Sequence, residues 1–400
     1  MKKSLAFLSA LSFATAGFAA APAEAPGLKV TGFLNYRYEW TEAPRAIAED
    51  GHEALPSGYG NAFVDAKSNN RLNMFLFLDN QFDGNTRFHA ILGAEHLSGR
   101  TTNTNIQVKE AYVAAKFGPT EVQLGRFLSD VGLGTLGGAP FMDGIHVTLA
   151  NKYVSAQAYV TKFGNQTDVT TTSLYTSGVN GHMTFVSGDV KVMPVAGLTI
   201  SAAYFADVTS EGDGNYKTYA LGAEYKYVAN NVPWFTVSGE YAKNNSDGAK
   251  HLNSEFLGVG SSGLILSDGD APTAYYAKVK VLGAHPFMPG TGGISLQYRK
   301  AESGFDIMGM ANPFTWNAPF NWTTPSGGGI AENHKGFELA GEVTVLPRTI
   351  VKAAYGFMKS DSTTTLAATF AHPVGGVNPL AGGVITDSEK YFTASVFYLF

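Results

Sequence analysis

The sequence predicts an all-β fold: a transmembrane antiparallel β-barrel of sixteen strands, with short turns on one rim and long loops on the other. Three observations carry the prediction. Apolar and mixed residues alternate with a period of two from Leu28 to the C-terminal residue. Tight turns alternate with long connections. No apolar stretch beyond Ala25 is long and continuous enough to cross a bilayer as a helix, so a membrane-spanning chain of this kind has to close its backbone hydrogen bonds as a barrel.

The N-terminal segment comes first. Lys2 and Lys3 precede an apolar run from Leu5 to Phe18 and then small residues through Ala25, the pattern of a secretory signal peptide. Cleavage after Ala19, Ala23 or Ala25 fits the small-x-small rule, which gives a leader over 1–23 and one barrel domain over 24–400.

Composition agrees with this reading. The 400 residues include 46 Gly, 19 Tyr, 27 Phe and no Cys, and only 15% are charged. Mean hydropathy is −0.03, too low for a helical membrane protein and too high for a disordered chain, but natural where every apolar residue has a polar neighbour. The absence of Cys excludes a disulfide framework and a thiolate metal site. The formal net charge is −5, and losing Lys2 and Lys3 with the leader makes the chain more acidic, which argues against a nucleic-acid partner.

Sixteen segments read as strands: 28–41, 69–82, 86–98, 104–117, 120–129, 141–150, 153–164, 180–193, 197–208, 215–229, 233–244, 271–284, 292–302, 332–346, 348–359 and 386–400. Leu72, Met74, Leu76 and Leu78 alternate with Arg71, Asn73, Phe75, Phe77 and Asp79, and the pattern recurs around Phe88, Ile294 and Phe337. Asp83-Gly84-Asn85, Gly118-Pro119, Asn151-Lys152 and Pro347 are tight connections. The long ones include 42–68, 165–179, 245–270, 303–331 and 360–385. An even strand number puts both termini on the short-turn rim.

Outward residues of such a barrel meet lipid and inward ones meet the lumen. The inward parity holds Arg37, Arg71, Arg87, Glu224, Lys226, Glu240, Lys278, Lys280, Arg299, Glu338, Glu342 and Lys352, more charge than a dry core tolerates. The arginines have two readings that do not exclude each other: guiding solutes, or pairing with Glu39, Asp79, Glu95 or Glu110. Tyr38 and Trp40 near the loop end, and Tyr225, Tyr227, Trp234 and Tyr398 near the turn end, mark two interfacial girdles.

The last segment places Phe392, Ala394, Val396, Tyr398 and the terminal Phe400 on one face. Together with the leader, this resembles the C-terminal signature by which the barrel assembly machinery recognises outer-membrane proteins. The opening strand, Val30 to Tyr38, is similar to first strands of bacterial porins. Leu124-Gly125-Arg126 before a glycine-rich loop resembles the porin approach to the constriction loop. As architecture the resemblance to the Gram-negative general porin family covers the whole chain after the leader. As motif it covers the two ends and residues 120–146.

The resemblance implies a third loop, here Ser129 to Pro140, folded into the lumen, with Asp130 and Asp143 on the acidic side and Arg37, Arg71 and Arg87 as a basic ladder. This loop departs from the family pattern in being short and nearly uncharged, which leaves a wider or glycine-lined eyelet open. The implied function is an outer-membrane channel for passive diffusion of ions and small hydrophilic solutes. It would work without cofactor or metal, as a homotrimer in outer-membrane lipid.

Other signals read more plainly. Gly132-Leu133-Gly134-Thr135-Leu136-Gly137 matches a dinucleotide fingerprint, but Gly138, Ala139 and Pro140 stand where its helix should open, and no βαβ rhythm surrounds it. Glu211 to Asn215 lacks the spacing of a calcium loop and reads as a hairpin tip. Nine His form no H-x-x-x-H pair and no G-x-S-x-G elbow occurs, so the chain is read as no enzyme. Within transport the alternative is a substrate-selective channel for a sugar or other small solute, with Phe314, Trp316, Phe320 and Trp322 of loop 303–331 as its ligand site. Outside transport, the alternative is a structural or adhesive surface barrel.

Overall fold

A computed structural model describes residues 27–47, 64–97, 106–163, 183–208, 216–229, 232–260, 263–306, 333–359, 361–362 and 389–400. The proposed leader, the run 211–215 and the aromatics Phe314, Trp316, Phe320 and Trp322 lie outside the described residues.

The described residues form sixteen antiparallel strands in one closed barrel. They are β1 (Leu28–Ile47), β2 (Val64–Gln81), β3 (Thr86–Leu97), β4 (Ile106–Phe117), β5 (Thr120–Val131), β6 (Leu136–Ala150), β7 (Val154–Phe163), β8 (Met183–Val192), β9 (Leu198–Asp207), β10 (Lys217–Ala229), β11 (Val232–Asn244), β14 (Thr273–Leu282), β15 (Gly292–Ala301), β16 (His334–Leu346), β17 (Thr349–Lys359) and β18 (Glu389–Leu399). The connection from β11 to β14 holds a six-residue helix α1 (Asp247–Leu252), capped by Ser246, and a small hairpin of β12 (Phe256–Gly260) and β13 (Gly263–Leu266). Each expected strand is present, and the segment expected as loop 245–270 carries this extra structure. Among the described residues no helix is long and apolar enough to cross a membrane.

Each strand pairs with its sequence neighbour, and β18 returns to β1 in the register Phe33↔Leu399 through Thr41↔Tyr391. Beyond that register, Gly32 and Phe400 exchange backbone hydrogen bonds at 2.9 and 3.0 Å, which completes the seam at the short-turn rim. Gly32 is needed there: a Cβ would meet the Phe75 carbonyl at 2.4 Å and the Phe400 ring at 2.7 Å. Closure leaves no sheet edge, so the backbone of every barrel strand is paired on both sides.

Period-2 alternation becomes an apolar outer surface. Leu124, Ile145, Val160, Ile200, Leu221, Val279, Leu296, Leu339 and Val396 are all exposed, on strands around the circumference. Such a continuous apolar band is unfavourable in water and fits hydrocarbon. Outward aromatics gather toward the long-connection rim, with Tyr275 beside Tyr298, Tyr298 beside Phe337, Tyr355 beside Phe357 and Tyr38 beside Phe392. At the short-turn rim Phe117, Tyr153, Tyr225, Tyr227, Trp234 and Tyr398 are exposed. These are the two bands read from the sequence.

The turn from β2 to β3 shows how local chemistry sets a connection. The Asp83 carboxylate accepts the N–H groups of Asn85 at 2.7 Å and Thr86 at 2.8 Å, and these bonds hold its pKa below the ordinary 3.8. A group with a depressed folded pKa stabilises the fold above its unfolded pKa and loses that contribution as pH falls through the folded value. The difference in urea midpoint between the parent protein and D83A should therefore be largest near neutrality and shrink below pH 3.8. A pH-independent difference would contradict this role for Asp83.

Candidate functional site: the lumen and its docked loop

The β5–β6 connection does not stand above the barrel. Pairing shifts between Leu128↔Phe141 and Asp130↔Gly137, setting the three residues 138–140 against Ser129 alone, an irregularity of the kind that bends a hairpin. The tip Gly132–Thr135 is thereby carried into the lumen, onto the far inner wall. Gly132 N–H donates to Asp189 Oδ2 on β8 at 2.8 Å. Leu133 N–H and Thr135 N–H donate to the two oxygens of Glu240 on β11, at 2.7 and 2.8 Å. The Leu133 carbonyl accepts from the Tyr276 hydroxyl of β14 at 3.0 Å, and the Asp130 carbonyl accepts from Gln157 Nε2 at 2.6 Å.

Gly132 serves that docking. Gly132 sits at φ +75°, and a Cβ there would meet Glu240 Oε1 at 2.4 Å. A tip with so little polar side-chain chemistry makes its hydrogen bonds through its backbone, and inward carboxylates are strong acceptors for successive N–H groups.

Around the docked tip the interior is packed. Val131 and Leu136 join inward Tyr112, Phe127, Met142, Tyr159, Phe185 and Phe205, together with Tyr216 and Phe305, in one buried apolar cluster. His146 stacks on Tyr159 with centroids 3.8 Å apart. This cluster covers much of the inner face from β4 to β15. A second one gathers Phe33, Ile350, Phe397 and Ala284 with Phe75, Phe77 and Leu399, toward the short-turn rim.

Away from the docked tip, further charged residues pair along the wall. Arg37 and Arg71 face each other in register and share Glu39, at 2.9 and 3.7 Å. Arg87 forms its own group, 2.8 Å from Glu121 and within 3.4 Å of the Tyr112 hydroxyl. His89 lies between Asp79 and Glu110. Glu342 pairs with Lys280 at 2.7 Å and Lys352 at 3.5 Å, and also accepts the Ala284 N–H. Arg299 reaches the Tyr391 hydroxyl at 2.9 Å, which donates to Glu338. Lys278 stands two residues from Lys280 on the same inner face of β14.

Of the residues singled out from the sequence, Arg37, Arg71 and Arg87 face inward, and Asp130 belongs to the docked hairpin. Asp143 does not face the lumen. It shares the outward parity of Ile145, Val147 and Leu149 and pairs at 3.7 Å with outward Arg126, so the expectation that placed it at a constriction is corrected by the parity of β6. The side chain of Glu95 lies outside the described ones. Sequence reading missed Asp189 and the role of Glu240. Their signal is an inward carboxylate beside small residues, Gly188 next to Asp189 and Gly239 next to Glu240, where another backbone can approach.

No protein-family profile and no curated protein sequence matches the chain. Among solved structures it is similar to Pseudomonas aeruginosa OccK11 (OpdR), with a TM-score of 0.50 and 9% identity over 93% of this chain and 95% of that one. A mutant of the Rhodopseudomonas blastica porin gives a TM-score of 0.48 and 11% identity over 94% and 100%. Salmonella typhi OmpF in complex with daunomycin gives 0.48 and 12% over 94% and 98%. The likeness is one of fold: a sixteen-stranded closed barrel of porin-like architecture.

Proposed function

We propose that the chain is an outer-membrane channel through which ions and small hydrophilic solutes diffuse passively, and that the inner wall of β14–β18 and β1–β3 lines the path. The observation that carries this reading is the division of the interior. The docked loop and its apolar cluster occupy one sector, and the other carries the charged strip. A barrel that had to hold a solid core would not put Lys278, Lys280, Arg299, Lys352, Arg37 and Arg71 on one side of it. A hydrated lumen needs such a lining.

On β1, β2 and β14–β17 these six cations face the carboxylates of Glu39, Asp79, Glu338 and Glu342, of which Asp79 is engaged with His89. The strip therefore favours anions over cations. Export by the leader, recognition of the strand ending in Phe400 by the assembly machinery, and association as a homotrimer belong to the same reading.

Single-channel recording of the refolded chain in a planar bilayer tests it. Ohmic steps in KCl, grouped in threes, and a reversal potential on the chloride side across a salt gradient are expected. Silence from correctly folded barrel would sink the channel reading. Flux that saturates at low solute concentration would replace diffusion with selective transport.

A further inference from the structure

The connection from β14 to β15 is out of keeping with its rim. The other connections there have two to five residues, and this one has nine, residues 283–291. It folds inward. Leu282 ends β14 in the left-handed region at φ +58°, a conformation that a bulky side chain enters only where its surroundings hold it. Opposite Leu282 on β15, a Cβ on Gly293 would meet the Gly283 nitrogen at 2.7 Å, so the turn needs glycine there to lie against the inner wall.

The anchors are inward groups of β16. Ala284 N–H donates to Glu342 Oε1 at 3.0 Å, and the Thr344 hydroxyl donates to the His285 carbonyl at 2.8 Å. Farther along, the Pro286 carbonyl accepts the Arg348 N–H of the β16–β17 turn. The segment thereby crosses β15 and β16 to reach β17, where Ala284 is buried in one cluster with Ile350, Phe397 and Phe33. Phe33 stacks on Phe75 with centroids 4.9 Å apart and lies 6.0 Å from Phe77. Phe75, Phe77 and Leu399 are only partly buried, and their inward parity turns their open faces to the lumen.

The turn and these rings stand at the short-turn rim of the sector through which solutes are proposed to pass. A narrow apolar collar discriminates by size and by the cost of stripping water from a polar solute. We propose that the β14–β15 turn and the rings of Phe33, Phe75, Phe77 and Phe397 form a second constriction, at the periplasmic exit, which limits solute size independently of the docked loop. The inference rests on the channel reading above and adds a place where passage is decided.

The test is one-sided exclusion of polyethylene glycols of graded size from single channels of the refolded full chain, where a polymer that enters lowers the current. The chain has no Cys, and Met288 at the turn is exposed, so M288C reacted with an impermeant thiol reagent identifies the periplasmic side of each channel. The largest polymer that enters from the short-turn side should be smaller than the largest that enters from the loop side. G293V pushes the turn off the wall, and F77A removes a ring without touching the turn. Each should raise the short-turn limit and the conductance, the latter by roughly 1.5-fold, and leave the loop-side limit unchanged.

Equal limits from the two sides in the parent would overturn the proposal even if G293V failed to fold. An unchanged short-turn limit in F77A would also overturn it. So would a rise in the loop-side limit alone, which would put the narrowing at the docked tip. Silence from folded parent would sink the channel reading and this inference together, whereas conduction with equal limits sinks the inference alone.

Discussion

E240A should release the loop that divides the lumen, making the single-channel current larger and noisier and lowering the urea midpoint. Glu240 is almost fully buried and accepts two loop N–H groups, from Leu133 and Thr135. A hydrogen bond to a charged group is worth about 1.5–3 kcal/mol, so losing both costs roughly 3–6 kcal/mol. Part of that cost appears as two backbone donors left without their acceptor, and the cheapest relief is for the tip to leave the wall and find water.

E240Q should fall between the two, because the amide keeps one acceptor oxygen and turns its NH2 toward the other N–H. D189N should act in the same direction through Gly132. Both residues hold one rigid tip, so the double change should be less than additive. Unaltered conductance, noise and midpoint in E240A would mean that the loop is held by its apolar cluster alone.

How much of this could be read beforehand follows from where each signal resides. The barrel was legible because lipid outside and lumen inside force a side-chain period of two on every strand, as in Leu72 to Leu78 or Phe392 to Phe400, and no distant contact is needed to see it. The docked tip was not, because its donors are backbone N–H groups that every residue owns. Its acceptors, Asp189 and Glu240, lie 57 and 107 residues from the donors they bind. Family resemblance placed acid on the loop and base on the wall. For the docked tip the wall supplies the acid and the loop supplies N–H dipoles. Asp143 shows a different limit: a position called near a loop by its sequence neighbours is moved to the outer face by the parity of an extended β6.

E342Q should shift the reversal potential further toward chloride and destabilise the barrel at the same time. Glu342 is the carboxylate at which Lys280 and Lys352 meet, with Lys278 on the same inner face nearby. Glutamine keeps the shape and can still accept the Ala284 N–H that ties down the β14–β15 turn, so the change isolates the charge. Two partly desolvated ammonium groups then lose their counter-ion. Breaking a fully buried pair costs about 3–5 kcal/mol, and partial hydration of the lumen reduces this to roughly 1–3 kcal/mol. The same uncompensated charge raises the local concentration of permeating anions. K352Q should move selectivity the opposite way, and E342Q with K352Q should return the reversal potential toward the parent value, because the net charge of the wall is then unchanged, but the urea midpoint only part of the way, because Lys280 still lacks its partner. If E342Q left the reversal potential in place, the β14–β17 wall would not line the path of ions.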